Sequence, residues 1–175
     1  MVRGACSLRP GVRGVSSRIR VRSIVGRFLE HSRIFVFGNG GRPEVYLGSA
    51  DWMPRNLHER VEVMFRLKDR VLCRRVCEQI VVPYLADTEK TRFLRADGNY
   101  TPASGNTARR TARNQFNAQN FLIHMAANRN ENGDFPFQFR HQKRHSSRIA
   151  DLLVSLWEPG AQDASPRSTP VENAE

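Results

Sequence analysis

The chain has 175 residues, 39% of them hydrophobic and 26% charged, which suits one domain of ordinary size with its own apolar core. No run of about 18 or more apolar residues occurs, which excludes a membrane-spanning helix. Lys and Arg number 28 against 17 Asp and Glu, a formal net charge of +11, and this balance points to an anionic partner such as nucleic acid, acidic lipid or polyphosphate.

The basic residues are nearly all arginine, which matches phosphate oxygens bidentately, and eleven of them fall in positions 1–60 against four acidic residues. A solvated basic surface with no partner is the plain alternative. In chain order, Met1–Cys6 reads as the end of a strand with nothing before it to pair with, the pattern expected of a piece of a longer chain. Ser16 or Ser17 is placed to cap a helix running to about Glu30, with Val21, Ile24, Val25, Phe28 and Leu29 on one face. Ile34-Phe35-Val36-Phe37 and Val45-Tyr46-Leu47 predict the two strands of a hairpin over 33–49, turning at Asn39-Gly40-Gly41. The alternation from Arg60 to Phe65 predicts a third strand.

Asp69 is placed to cap a second helix reaching about Leu85, kinked or ended at Pro83. Cys73 and Cys77, four apart on its apolar side, read as core thiols; with Cys6 they form no metal-ligand pattern, which fits a reducing compartment. A helical piece over about 87–94, a loop from Ala96, a short helix within 116–127 and a last one at 149–157 complete the expected elements. The segment 128–148 is polar and basic, and the Pro-, Ser- and acid-rich stretch after Pro159 reads as a disordered tail. The expected fold class is α/β.

The chemistry-bearing residues cluster around the hairpin. His31 stands between a helix and a strand, and Arg33 follows two positions later on the same side of an extended chain. Gly48-Ser49 ends the return strand with room for close backbone approach, and Ser49, Asp51 and Asn56 offer hydroxyl, carboxylate and amide. Together they suggest a pocket in which His31 acts on a phosphate and Arg33 clamps an anion. Histidine suits phosphoryl chemistry because it exchanges protons near neutral pH and its neutral nitrogen can attack phosphorus. Position alone equally allows His31 to be a helix C-terminal residue that only meets the dipole.

His31-x-Arg33, a strand, then Gly48-Ser49 and a following polar residue resemble the phospholipase D superfamily pattern, with Arg33 where that superfamily has lysine. Longer strings are more specific. Val2-Arg3-Gly4-Ala5-Cys6-Ser7-Leu8-Arg9-Pro10-Gly11, Ile19 through Arg33 with its Phe28-Leu29-Glu30-His31-Ser32-Arg33 end, and Glu44 through Leu57 with Gly48-Ser49-Ala50-Asp51 closely resemble the C-terminal catalytic domain of bacterial polyphosphate kinase. The likeness continues through Arg60-Val61-Glu62-Val63 and, more loosely, to about Tyr100.

That resemblance implies a phospholipase D-like domain, a mixed sheet flanked by helices, over 1–100. An irregular extension over 101–158 and a disordered tail over 159–175 would follow. It implies reversible transfer of the terminal phosphate of ATP to inorganic polyphosphate, with magnesium, through a phosphohistidine upstream of this chain. Arg3 and His31 would be ATP-site residues, Arg3 gripping phosphate and His31 facing the phosphohistidine as proton donor or acceptor. No metal ligands fall within the chain on this view, and the piece alone would be inactive. His58, His124, His141 and His145 lie in no matching string and read as surface or loop residues. The implied partners are ATP, ADP and polyphosphate, in a homo-oligomeric cytoplasmic enzyme with peripheral attachment at the inner face of the membrane. A phospholipase D-like phosphodiesterase or nuclease, or a non-catalytic basic module binding nucleic acid, are the alternative functions.

Overall fold

The computed structural model describes residues 1–2, 6–103 and 115–128. The expected helix at 149–157 and the tail from 159 lie outside the described residues, as do His141 and His145. The described chain divides into two compact units, one formed by residues up to His31 and from Glu78 onward, the other by Ser32–Cys77.

The second unit is the predicted hairpin with a third strand and two short helices. Strand β2 (Arg33–Phe37) pairs antiparallel with β3 (Glu44–Gly48), with Phe35 opposite Tyr46. The turn between them is a short 3-10 segment in which Asn39, Gly40 and Gly41 all have positive φ (41°, 59° and 90°). Asparagine and glycine tolerate that left-handed backbone best, so this tripeptide fixes the register of the hairpin.

Helix α1 (Pro54–His58) precedes strand β4 (Met64–Leu67), which pairs with β3. The third strand therefore starts later than the alternation at 60–65 suggests. Residues 62 and 63 are occupied otherwise: Val63 takes the N–H of Ser49 on its carbonyl and donates its own N–H to Ser49 Oγ. Helix α2 (Arg70–Val76) starts where expected, with Asp69 Oδ1 accepting the Leu72 N–H at 2.9 Å. Val45, Cys73 and Cys77 form a fully buried cluster against Ile34, Val36, Leu67 and Val76. The two cysteines are thus core thiols, and burial is the main cause that pushes the Cys73 thiol above its ordinary pKa.

In the first unit the sequence and the structure part company at residues 16–30. No helix forms there. Ser16 closes a tight turn, donating its hydroxyl to Arg9 O and accepting the Val12 N–H. The chain then enters strand β1 (Arg22–Ile24). Val21 and Ile24 are buried, but Val25, Phe28 and Leu29 of the supposed apolar face are exposed. Helical spacing here is a coincidence of two buried residues with three surface ones, and the β-branched Ile19, Val21, Ile24 and Val25 favour extended backbone.

Helical structure resumes after α2 as a π-helical turn, Cys77–Val81, followed by α3 (Val82–Ala86). Pro83 lies in the first turn of α3, where its missing N–H is tolerated, and the widened turn precedes it. The helical piece expected over 87–94 is instead strand β5 (Thr91–Leu94). Asp87 Oδ1 accepts the N–H groups of Lys90 and Thr91, at 2.7 and 2.9 Å, as a cap would, but the chain then extends and pairs with β1. Strand β6 (Tyr100–Pro102) adds to β5 inside what reads as a loop, giving the order β1-β5-β6. Helix α4 (Ala118–Ala127) forms as expected and packs on α3.

The α/β expectation holds, as two three-stranded sheets with short helices. Every described strand pairing is antiparallel, where the expectation was one mixed sheet. Among the described residues no helix is long and apolar enough to cross a membrane.

Candidate functional site

Four of the residues singled out in the sequence lie in the second unit, and the structure ties them together in two sets. Arg33, at the start of β2, points both Nε (3.0 Å) and Nη2 (2.5 Å) at Asp51 Oδ1. The arginine is well covered and the aspartate half exposed. Part of the positive charge expected to clamp an anion is thus met by a carboxylate eighteen positions along the chain. The loop carrying Asp51 is held by stacking of Trp52 on Phe35, ring centroids 5.8 Å apart.

Ser49 and Asn56 form the second set through a residue the sequence reading passed over. Ser49 donates its hydroxyl to Glu62 Oε2, and the buried Asn56 amide donates to Glu62 Oε1 at 2.8 Å. These hydrogen bonds, Ser49 first and Asn56 second, hold the Glu62 carboxyl below its ordinary pKa. Glu62 sits in the polar half of an alternating stretch, so its sequence signal was that of a solvated strand residue. Gly48 does allow close backbone approach, but to Val63: a Cβ there would stand 3.2 Å from the Val63 carbonyl oxygen.

His31 ends the first unit, and its side chain is exposed. Arg3, its expected partner in phosphate binding, lies outside the described residues. The segment leading to His31 is anchored by buried polar groups. Gln119, in the first turn of α4, hydrogen-bonds Phe28 and Glu30. The Tyr84 phenol also bonds Glu30; burial first, and that bond second, push its pKa well above the usual range, so it stays a donor at working pH. Asp87, itself buried, accepts the Ala118 N–H at 2.9 Å on Oδ2 and so fixes the start of α4 to the end of α3. Beside this segment a cleft of about 440 Å³ is lined by Gly26, Arg27, Lys90, Asn117 and Gln119. Short polar side chains at 87 and 119 resemble ordinary cap and surface residues in sequence, which is why neither stood out.

Among the described residues, no three His, Cys, Asp or Glu side chains gather closely enough to hold a metal ion. Asp51 is engaged by Arg33, and Glu62 by Ser49 and Asn56. The donor set of these described residues does not fit a magnesium site. His58, which matched no functional string, is exposed at the end of α1, and His124 is exposed on α4.

Residues 1–119 match the family model described as polyphosphate kinase C-terminal domain 2. The match therefore extends past Tyr100, where the resemblance read from the strings gives out, to include Gln119, in one unit with Asp87 and His31. A polyphosphate kinase from Paraburkholderia phytofirmans is 49% identical over 123 residues, 70% of this chain and 17% of that protein. One from Thermosynechococcus vestitus is 52% identical over 114 residues, 63% of this chain and 15% of that protein. The crystal structure of polyphosphate kinase from Porphyromonas gingivalis superposes with a TM-score of 0.53 at 34% identity, covering 62% of this chain and 16% of that one. This chain thus spans about a sixth of the length of these relatives. A family match over more than half of its residues, with identities near 50%, places the chain in the polyphosphate kinase family, in the region of the C-terminal domain.

Proposed function

We propose that the chain supplies the C-terminal catalytic part of an ATP:polyphosphate phosphotransferase with a phospholipase D-like architecture. The observation that carries this is the continuous family match over residues 1–119, which contains Arg3, His31 and the network holding the segment before His31. In this reading a histidine outside the chain attacks the terminal phosphorus of ATP, and the bond to ADP breaks. A terminal oxygen of polyphosphate then takes the phosphoryl group from that histidine.

The role of His31 is to give or take the proton on a phosphate oxygen, or to stabilise its charge, on the side facing the phosphohistidine. Arg3 grips phosphate. Magnesium would accompany the nucleotide, held by residues upstream of this chain. Arg33 serves mainly to fix the loop at Asp51, and its positive charge adds to the attraction for an anion. The same reading makes the whole enzyme a cytoplasmic homo-oligomer, peripheral at the inner face of the membrane.

The test joins this chain to the preceding part of the Paraburkholderia phytofirmans relative and measures polymer synthesis from labelled ATP with magnesium. The joined protein should make polyphosphate, and His31→Ala should lower the rate by at least about a hundredfold. The 175-residue chain alone should make none. Near-normal synthesis by the His31→Ala protein would remove His31 from the site, and synthesis by the chain alone would remove the need for an upstream histidine.

A further inference from the structure

Between the end of β1 at Ile24 and the start of β2 at Arg33 the chain lies outside any strand ladder. Val25, Arg27, Phe28 and Leu29 are exposed there, so packing does little to fix the path into His31. A backbone so placed needs polar anchors to hold one conformation.

Besides the Tyr84 phenol on Glu30, one side chain, Gln119, anchors this stretch. Gln119 is 4% exposed. Its Oε1 accepts the Phe28 N–H at 3.1 Å, and its Nε2 donates to Phe28 O at 3.1 Å and to Glu30 Oε1 at 2.7 Å. Both amide N–H donors and the amide oxygen are therefore used on a three-residue stretch that ends one position before His31. A carboxamide bonding both backbone groups of one residue takes the place of a strand neighbour, holding the bend at Phe28 in the absence of a ladder.

The mount of that amide is itself fixed. Asp87 holds the Ala118 N–H, and Asn117 caps α4 by accepting the Asn120 N–H at 3.0 Å. Across from it, Gly26 leaves the space the amide occupies: a Cβ at position 26 would stand 2.3 Å from Gln119 Oε1 and 2.8 Å from Cδ. Position 26 has an ordinary backbone conformation, so an alanine there would displace the amide without straining the chain.

We propose that Gln119 is a positioning residue for His31: its carboxamide, seated against Gly26, fixes the backbone of Phe28–Glu30 and so sets where the imidazole is presented. The functional meaning of this rests on the reading in which His31 belongs to the phosphotransfer site.

The experiment uses the full 175-residue chain. Gln119→Met keeps the side chain's length and removes all three hydrogen bonds. Gly26→Ala keeps Gln119 and pushes its amide aside. Histidine ring signals are followed by NMR, together with the exchange rate of the Phe28 amide and the thermal melting curve. In both variants the His31 ring signals should shift while those of His58, in the other unit, stay in place. Loss of the hydrogen bond should speed Phe28 exchange about tenfold, with a cooperative melt retained. Should Gln119→Met not fold, Gly26→Ala decides, because its added methyl meets only a side-chain end. Unmoved His31 signals in a folded variant overturn the proposal. Full polymer synthesis by the joined enzyme carrying His31→Ala is a different failure: it removes His31 from the site whatever the spectra show.

Discussion

Glu62 shows how a single carboxylate can organise a loop without being buried. It accepts from the Ser49 hydroxyl and from the Asn56 amide, two groups chosen in the sequence for a pocket, and both bonds favour its charged form. Its folded pKa is therefore depressed below the ordinary 4.5. For a depressed carboxylate the stabilisation is complete above the unfolded pKa and is lost as pH falls through the folded one. The wild-type chain should lose resistance to urea as pH drops below 4.5, and Glu62→Gln should lack that part of the loss. Denaturation midpoints at neutral pH should be higher for wild type than for Glu62→Gln, and the difference should shrink as pH falls below 4.5. A gap of constant size across that range would mean that the Glu62 charge has no part in holding Ser49 and Asn56.

Elements read well from sequence where one face of a periodic pattern really is buried. The hairpin at β2 and β3 has an apolar run on each side of an Asn-Gly-Gly turn, and α2 pairs a capping aspartate with Cys73 and Cys77 in the core. The pattern at 16–30 was equally regular but belonged to a chain that buries only Val21 and Ile24, so period alone misled. Likewise, Asp87 carries the local signal of a helix start, yet its three N–H partners sit on Lys90, Thr91 and Ala118, and the last is 31 positions away. Nothing local announces such a partner, and for the same reason Gln119 and Glu62 stayed hidden while His31 and Arg33, two positions apart in the chain, were visible. Asp87→Ala would leave three N–H groups without their acceptor at a buried position, at a cost of about 3 kcal/mol. Amide exchange should rise together at Lys90, Thr91 and Ala118. A rise confined to Lys90 and Thr91 would mean that α4 is held by other contacts.

At the scale of the molecule the net charge of +11 overstates what is free to meet a polyanion. Arg9 donates to Ala96 O, Arg22 donates to Leu85 O at 2.6 Å and lies over the Phe93 ring, and Arg33 and Arg66 are paired with Asp51 and Glu44. Burial lowers the pKa of Arg22, partly offset by Asp87, and its bond to Leu85 O makes it a structural tie between β1 and α3. Such arginines have their geometry spent on carbonyls and carboxylates, and only the remainder could release counterions to a bound polyanion. Salt dependence counts that remainder directly. For a footprint of roughly three or four phosphates at the slope of a single-stranded polyanion, affinity for polyphosphate should fall about twenty- to fiftyfold between about 50 and about 200 mM salt. A loss above about ten-thousandfold would mean that the whole basic complement of positions 1–60 is engaged and that the internal ties open on binding. No loss at all would mean that the arginines have no part in holding the polymer. ATP should compete with polyphosphate for this surface, whereas a general nucleic-acid module would bind single-stranded DNA as tightly as polyphosphate and be indifferent to ATP. The salt slope and the ATP competition together thus separate a phosphate-transfer surface from a merely basic one.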